Sequence, residues 1–331
     1  MTTSLPEVVV ITGASAGVGR AVAHAFARRG ARLGLLARGR PGLEAAQREC
    51  EALGGAALAI PTDVADPDQV ERAADRVLQA FGPLDVWVND AMATVFAPVV
   101  DTSAQEFKRA TEVTYLGCVY GTMAALRRMR PRNRGTVVQV GSALAYRAIP
   151  LQAAYCGAKF AIRGFSDSLR TELLHEGSRV WVTMVQLPAV NTPQFSWCRT
   201  RLPDHPQPVP PIFEPEVPAE AIYYAAHHRR RELVCGTSAL LAIVGNKLAP
   251  GVLDRYLAAT AFSSQQVAGE AVRADRPDNL FQPVVELAAT RGIFSDRSRT
   301  RSYQSWLNTH RLGVIGLAAL GAGALLSRRL G

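Results

Sequence analysis

The sequence predicts a doubly wound α/β fold, a parallel sheet of seven strands with helices on both faces, followed by a C-terminal helical extension. The first apolar run, Val8-Val9-Val10-Ile11, is closed by glycine and has the character of a strand covered on both faces. After it, helix-period segments alternate with apolar runs, which indicates parallel strands joined by right-handed crossovers. The composition, 48% hydrophobic and 20% charged over 331 residues, is ordinary for a globular chain with a full core.

The segments follow one another in a regular order. Apolar runs that we interpret as the further strands lie at about 31–36, 56–61, 85–89, 135–141, 180–187 and 232–235. Helix-period segments lie at roughly 17–29, 39–53, 66–81, 103–130, 152–176 and 218–229. We therefore predict one α/β domain at residues 1–240, a helical and polar extension at 241–307 that continues a helix at 238–259, and an apolar segment at 308–331.

Residues 188–218 interrupt this alternation and contain nine prolines. A long connection inside a compact domain is usually a lid, a binding loop or a disordered segment. This one follows the sixth strand, which places it over the carboxyl ends of the strands, where such sheets bind ligands. We interpret it as a substrate lid, and a passive linker is the alternative.

The C-terminal apolar run, residues 312–326, lies between Arg311 and Arg328-Arg329. Its fifteen residues would reach about 22 Å as a helix, short of the roughly 30 Å hydrocarbon core of a bilayer. The flanking arginines can extend their charges outward and lengthen the effective segment. Two interpretations stay open: a membrane anchor, and a helix that is buried or packed against a partner.

The net charge of +9 does not indicate a nucleic-acid-binding protein. Seven arginines after residue 290 accompany a single acidic residue, Asp296, so most of the excess charge belongs to the tail, and no base-reading motif accompanies it. The five cysteines are scattered and form no C-x-x-C pair, and His227-His228 before three arginines is typical of a solvated helix end. We expect no metal site, a reducing cytosol and, without a basic N-terminal region, no cleaved signal peptide.

A glycine turn follows the first strand: Thr12-Gly13-Ala14-Ser15-Ala16-Gly17-Val18-Gly19. Without Cβ atoms, its glycines permit a tight turn, close approach of backbone to a pyrophosphate, and close packing of helix on strand. The helix N-terminus favours the anion. We predict that Gly13, Ser15, Gly17, Val18 and Gly19 bind a dinucleotide, although the spacing differs from the commonest Gly-x-Gly-x-x-Gly fingerprint.

The segment Tyr155-Cys156-Gly157-Ala158-Lys159 places a phenol and an ammonium four residues apart on a predicted helix, so both lie on one face. The chain has only three lysines and eight tyrosines, which makes this spacing informative. A free phenol with a pKa of about 10 is a poor base at neutral pH, and a nearby ammonium lowers that pKa. Ser142, just after the fifth strand, can hold a substrate oxygen.

The glycine turn together with Ser142, Tyr155 and Lys159 resembles the short-chain dehydrogenase/reductase family over about residues 7 to 240. The resemblance implies a Rossmann fold and an oxidoreductase that moves a hydride between a nicotinamide cofactor and a carbonyl or secondary alcohol. It implies that Tyr155 is the acid/base, that Lys159 lowers its pKa and binds the nicotinamide ribose, and that Ser142 orients the carbonyl.

The end of the second strand indicates which nicotinamide cofactor is used. An acidic residue there would hold the ribose 2′-hydroxyl of NAD, but Leu35-Leu36-Ala37-Arg38 offers no carboxylate. The Arg38 guanidinium suits the 2′-phosphate of NADP through charge and bidentate hydrogen bonds. We predict NADP(H), and a surface arginine in an arginine-rich chain is the alternative.

The resemblance implies further cofactor contacts. The pair Asp63-Val64 resembles the family's adenine-binding pair, and Pro188 with Thr192 resembles the segment that contacts the nicotinamide carboxamide. The resemblance further assigns Asn89 and Ala91 to the cofactor side of the turn after the fourth strand.

Two departures from the family pattern stand near these residues. Asn89-Asp90-Ala91-Met92 matches the family's Asn-Asn-Ala-Gly in part, because Asp90 and Met92 replace its second Asn and its Gly. Thr114 replaces the Asn of Val-Asn-x-x-Gly, a position that helps to hold a water in a proton relay to the lysine. We keep Thr114 as a catalytic candidate because that role is carried partly by the backbone carbonyl.

We therefore expect residues 1–240 to form an NADP-binding catalytic domain that acts on a small or medium, lipophilic carbonyl or alcohol. We further expect a cytoplasmic homo-oligomer whose contact with a membrane, if it has one, is made through the C-terminal tail. The alternative is a catalytically silent NADP-binding, membrane-tethered interaction protein. Intact Ser142, Tyr155 and Lys159 argue against that alternative.

Overall fold

The first strand of the computed structural model is Val8–Thr12, and each of its residues is buried. The structure describes residues 6–284 and 286–310. Parallel strands flank the first strand, with Val9 opposite Leu33 on one side and Val86 on the other. A strand inside a parallel sheet is covered by helices on both faces, which explains the all-apolar run.

The strands in chain order are β1 Val8–Thr12, β2 Arg32–Ala37, β3 Ala56–Pro61, β4 Val86–Asn89, β5 Val95–Phe96, β6 Thr136–Ser142, β7 Trp181–Leu187, β8 Ala189–Val190, β9 Arg199–Thr200, β10 Asp204–Pro206, β11 Ile212–Phe213, β12 Glu232–Val234, β13 Gln266–Ala271 and β14 Ser298–Arg299. Seven of them form one parallel sheet in the order β12-β7-β6-β4-β1-β2-β3. The predicted doubly wound, seven-stranded α/β fold is confirmed. The strand order reverses between β1 and β4, and sheets of this kind bind ligands in the crevice at that point.

Helices cover both faces of the sheet, and their apolar side chains form two core layers, one containing Phe26 and Leu33 and the other Trp87 and Leu84. Local signals fix several helix starts; for example, Asp66 caps the third helix by accepting hydrogen bonds from two backbone N–H groups. The helices are α1 Gly17–Ala27, α2 Arg40–Ala52, α3 Pro67–Phe81, α4 Ala104–Thr111, α5 Gly117–Met129, α6 Ala153–His175, α7 Gln194–Trp197, α8 Glu216–His227, α9 Thr237–Leu248, α10 Pro250–Ser264 and α11 Tyr303–Thr309.

Two predicted helices are interrupted in the structure. A π-helical turn, Glu112–Leu116, separates α4 from α5 within the segment predicted as one helix at 103–130. The helix predicted at 238–259 is two helices, α9 and α10. Pro250 begins α10, and Ala249 before it leaves the helical region with φ −146° and ψ 61°, because a proline lacks an N–H and crowds the residue before it.

The proline-rich segment 188–218 is folded against the C-terminal extension. It contains α7 and four short strands, and β10 pairs with β13 while β11 pairs with β8 and β14. The extension therefore supplies strands to the same small sheets as the predicted lid. The domain boundary at residue 240 stays a prediction.

Within the described parts of the chain, no helix is both long enough and apolar enough to cross a membrane. The run 312–326, predicted as an anchor or a packed helix, lies outside the described residues.

Candidate active site

A cavity of about 810 Å³ lies along the carboxyl ends of the sheet strands. The structure brings most of the predicted site residues to its wall. Those that line it are Gly13, Ser15, Gly17, Val18, Arg38, Asp63, Val64, Ala91, Ser142, Tyr155, Lys159, Pro188 and Thr192. A site predicted from separate stretches of sequence is thus contiguous in the fold.

The glycine turn is built for close backbone approach. Gly13 has φ +75°, and a Cβ on it would lie 3.0 Å from the backbone of Ala91. A Cβ on Gly19 would lie 2.5 Å from the carbonyl oxygen of Gly13, closer than a methyl group can approach. These two positions hold the first strand, the first helix and the loop after β4 together, and α1 begins here with its N-terminus at the cavity.

The catalytic candidates come from α6 and the end of β6. The Lys159 ammonium lies 5.5 Å from the centroid of the Tyr155 ring and donates a hydrogen bond to the Val140 carbonyl at 2.6 Å. The Ser142 hydroxyl faces the Tyr155 phenol and accepts a hydrogen bond from the Leu144 N–H at 3.1 Å. A substrate oxygen beside Ser142 would therefore lie beside the phenol as well.

Burial dominates the proton affinities of these groups. It raises the pKa of Tyr155 above its usual range, and the Ser142 hydroxyl lowers that pKa only in part. Burial also lowers the pKa of Lys159. The expectation that Lys159 lowers the pKa of Tyr155 stays a prediction.

Asn89 and Thr114 lie behind the cavity wall. Asn89 is buried and donates to Thr122 and Gln139 at 3.0 and 2.9 Å. The Thr114 hydroxyl accepts from the Ala93 N–H at 2.9 Å and donates to the Ala93 carbonyl at 3.0 Å. The Thr114 side chain therefore orders the loop after β4, whereas the Asn89 side chain joins β4 to α5 and β6. Their predicted roles in cofactor binding and proton relay stay predictions.

Asp90 faces the cavity at this turn, and sequence reasoning did not assign it to the site. The alternation of side chains along a strand was the available signal, because Asn89, the last residue of β4, points into the core and its successor points the other way.

A strap from the C-terminal extension crosses the cavity wall beside Arg38. We define the strap as residues 276–284 and 286–294. Arg38 donates hydrogen bonds to the carbonyls of Asn279, Leu280 and Phe281, with 2.9 Å to Phe281. Arg109 donates to the same Leu280 carbonyl at 3.2 Å, and Leu280 is fully buried. Arg38 is therefore not a freely solvated surface arginine, and its contact with a 2′-phosphate stays a prediction.

The second half of the strap is fixed to the glycine turn and to the predicted lid. The Gly17 N–H donates to the Ala289 carbonyl at 2.9 Å, and Arg20 donates to the Ala288 carbonyl at 2.9 Å. The Phe294 N–H donates to the Asn191 side chain at 3.0 Å. No local sequence signal predicted this segment as part of the site.

Apolar side chains form another part of the cavity wall. They come from the lid and from the helix pair α9–α10, which is tied to the start of α6 by a hydrogen bond from Gln152 to Gln265 at 2.7 Å. The apolar side chains of this part include Trp197, Val209, Leu241, Leu253 and Leu257, and Ile149 from the loop before α6 lines the same cavity.

Comparison with known proteins identifies relatives of the chain. The family model described as short chain dehydrogenase matches residues 7–201. The uncharacterized oxidoreductase YxnA of Bacillus subtilis (strain 168) is 33% identical over 277 residues, covering 82% of this chain and 75% of the relative. The human dehydrogenase/reductase SDR family member 7 is 38% identical over 170 residues, so the match spans half of each protein.

Two solved structures share the fold. An alcohol dehydrogenase from the archaeon Thermococcus sibiricus, complexed with 5-hydroxy-NADP, superposes with a TM-score of 0.61 at 29% identity and covers 69% of this chain and 95% of its own. A metagenomic short-chain oxidoreductase in complex with NADP gives a TM-score of 0.59 at 27% identity, over 70% of this chain and 98% of its own.

Proposed function

Because the chain belongs to the short-chain dehydrogenase family, we propose that it is an NADP(H)-dependent oxidoreductase that interconverts a carbonyl and a secondary alcohol. The observation that carries the proposal is the grouping of Ser142, Tyr155 and Lys159 on one cavity that also contains the glycine turn. A proton-transfer group and a dinucleotide cradle in the same cavity are what hydride transfer to a carbonyl requires.

The residues of the cavity fit a nicotinamide dinucleotide. The backbone surface at Gly13 and Gly19, which a Cβ would fill, suits the pyrophosphate beside the N-terminus of α1. On this proposal Asp63 and Val64 hold the adenine, and Arg38 holds the 2′-phosphate that distinguishes NADP from NAD. The NADP-type ligands of the two solved relatives support this choice of cofactor.

The nicotinamide end of the site is assigned in the same way. Lys159 and Tyr155 hold the nicotinamide ribose, while Pro188 and Thr192 hold the carboxamide. When bound, the dinucleotide supplies or accepts the hydride. A Cβ on Gly17 would lie 3.1 Å from the Thr192 methyl group, so Thr192 packs closely against the glycine turn.

The chain's own residues then manage the proton. In the reducing direction Ser142 holds the carbonyl oxygen, and the Tyr155 hydroxyl gives its proton to that oxygen as negative charge develops on it. The raised pKa of Tyr155 keeps the phenol protonated at neutral pH, which suits the acid of a reduction. In the oxidising direction the Tyr155 oxygen must accept the proton that the alcohol loses.

We propose a lipophilic substrate of small to medium size. Its support is the apolar wall contributed by the lid and by α9–α10, where Trp197, Leu253 and Leu257 line the cavity. Apolar walls with a few convergent polar groups are typical of sites that bind apolar ligands in one orientation. A homo-oligomeric assembly stays a prediction.

Tyr155→Phe tests the proposal. It removes the ionisable oxygen and keeps the ring, so we expect kcat for NADPH-dependent reduction across a panel of ketones and aldehydes to fall by at least about 100-fold, with NADPH affinity retained. Tyr303→Phe, at a tyrosine that is 82% exposed, is the matched control and should leave kcat unchanged. NADPH binding without turnover on any panel member would instead identify the silent binding protein.

A further inference from the structure

A glutamine lies at the apolar part of the cavity wall. Gln152 directly precedes α6, lines the cavity and is only 8% exposed. Its side chain does not cap the helix; its Nε2 donates instead to Gln265 Oε1 at 2.7 Å. Within residues 6–284 and 286–310, no group donates a hydrogen bond to Gln152 Oε1. A polar atom in an apolar site is unfavourable until it is paired, so this oxygen calls for a partner from outside the chain.

Gln265 determines which way the Gln152 amide points. Gln265 is fully buried, and its Nε2 donates to the carbonyls of Pro150 at 3.0 Å and Ala261 at 2.8 Å. An amide oxygen cannot donate to a carbonyl, so Gln265 must turn its nitrogen toward these two groups and its oxygen toward Gln152. The Gln152 amide must then turn its nitrogen toward Gln265. The cavity wall therefore carries a hydrogen-bond acceptor, Gln152 Oε1, whose orientation is fixed.

Gln265 is itself held by the predicted lid. The Gln207 N–H donates to the backbone carbonyl of Gln265 at 2.9 Å. The Gln207 side chain donates to the carbonyls of Ser264 at 3.2 Å and Gln266 at 2.7 Å. The end of α10 is thus bonded to the lid on one side and to the start of α6 on the other, which opposes any rotation of Gln265 that would release the Gln152 amide.

We propose that Gln152 is a specificity-determining residue that accepts a hydrogen bond from a hydroxyl group of the substrate, and that Gln265 is the positioning residue that keeps the Gln152 oxygen available. The inference rests on the proposed function and deepens it, because it makes the substrate a lipophilic hydroxy ketone or the corresponding diol. Gln152 precedes Tyr155 by three residues, so the two share a helix face and are about 5 Å apart along the axis. The substrate hydroxyl is therefore only a few bonds from the reacting carbonyl.

The apolar surroundings make this acceptor selective. Trp197, Leu253 and Leu257 line the same cavity. A substrate without a donor would displace water from the Gln152 oxygen and leave that oxygen unpaired, which is unfavourable. A hydrogen bond of ordinary net strength corresponds to about tenfold in kcat/KM.

Matched ketones test the proposal. The probes are straight-chain ketones with one hydroxyl at successive positions near the carbonyl, and the same ketones with a methyl group in place of each hydroxyl. For the best position we expect the hydroxy ketone to exceed its methyl analogue in kcat/KM by about tenfold. Gln152→Met keeps an unbranched side chain of similar length without the acceptor, so this preference should disappear. Gln79→Met, at an exposed position of α3, is the matched control and should retain it.

Gln265→Met tests the positioning role. Gln152 then keeps its oxygen, but its amide has lost the partner that orients it, so the hydroxyl preference should fall here as well. A merely structural role of Gln265 would lower kcat/KM for both ketones of a pair by the same factor and leave their ratio unchanged. An unchanged ratio in Gln265→Met overturns the positioning role. A wild type without hydroxyl preference, or a Gln152→Met variant that retains it, overturns the proposal.

Calorimetry separates this inference from the proposed function. Titration of the same ketones into the full-length protein in the presence of NADPH measures Kd without turnover. If no ketone is reduced, the proposed function fails, while a Kd about tenfold lower for the hydroxy ketone than for its methyl analogue still supports the hydroxyl contact. Equal Kd values, or no binding of any hydroxy ketone, overturn that contact.

Discussion

Arg38→Ala separates the role that the structure shows for the Arg38 guanidinium from the role that we propose for it. Arg38 donates to three carbonyls of the strap, and on the proposed function it also holds the 2′-phosphate. Each hydrogen bond contributes about 1 kcal/mol net. Because Arg109 still donates to the Leu280 carbonyl, we expect the free energy of unfolding to fall by about 2–3 kcal/mol.

The same substitution should change cofactor preference. A hydrogen bond to a charged group contributes about 1.5–3 kcal/mol, which corresponds to about 10- to 100-fold in kcat/KM. We expect the NADPH over NADH ratio of kcat/KM to fall by that factor, mainly through loss of activity with NADPH. Urea unfolding and steady-state kinetics with both cofactors measure the two effects on one protein preparation.

Arg40→Ala is the matched control. Arg40 lies two residues further along, its side chain is 66% exposed, and it pairs only with Glu44 at 3.7 Å in the described residues. Exposed pairs of this kind contribute between zero and about 1 kcal/mol. If Arg38→Ala unfolds at the same urea concentration as Arg40→Ala, the role of Arg38 in holding the strap is refuted. An unchanged NADPH over NADH ratio refutes the 2′-phosphate role.

Two further substitutions probe the glycine turn and the ion pairs that Glu106 makes with the predicted lid at Arg199 and Arg201. Gly13→Ala puts a methyl group at φ +75° and 3.0 Å from the Ala91 backbone, so we expect NADPH affinity measured by fluorescence to drop at least tenfold; unaltered affinity would remove this turn from the cofactor site. Burial of Glu106 favours its neutral form, but hydrogen bonds from Arg201 and Ser103 outweigh burial and lower the pKa to about 2. Its stabilisation is therefore complete above about pH 4.5 and is lost as pH falls toward 2, and Glu106→Gln should flatten that part of the urea-unfolding profile, whereas an identical acid decline would contradict the assignment.

The sheet and the placement of Tyr155 beside Lys159 were predictable because their causes are local. A buried parallel strand must be apolar throughout, as Val8–Thr12 is, and two residues four apart on a helix must share a face, as Tyr155 and Lys159 do. The position of Asp90 was accessible by the same logic, since the strand alternation that sends Asn89 into the core turns its neighbour toward the cavity. Pro250 was likewise a visible signal for the break between α9 and α10.

The strap was not predictable because its partners are distant in sequence and polar. Arg38 and Phe281 are separated by 243 positions, and the bonds between them use backbone carbonyls, which every residue carries. The segment around Asn279 is polar and has no helical or strand period. Within that segment Leu280 is buried, and guanidinium groups from distant elements donate to the backbone carbonyls around it.

On the proposed function, the strap must open each time the cofactor is exchanged. A dinucleotide seated against Arg38 and the glycine turn would lie beside a segment that is hydrogen-bonded to both, so its departure would require those hydrogen bonds to break and reform. A reductase releases one oxidised dinucleotide in every cycle, and the opening rate of the strap would then be an upper limit on kcat. The family match ends at residue 201, whereas the strap begins at 276, so the segment that would set this limit lies outside the matched region.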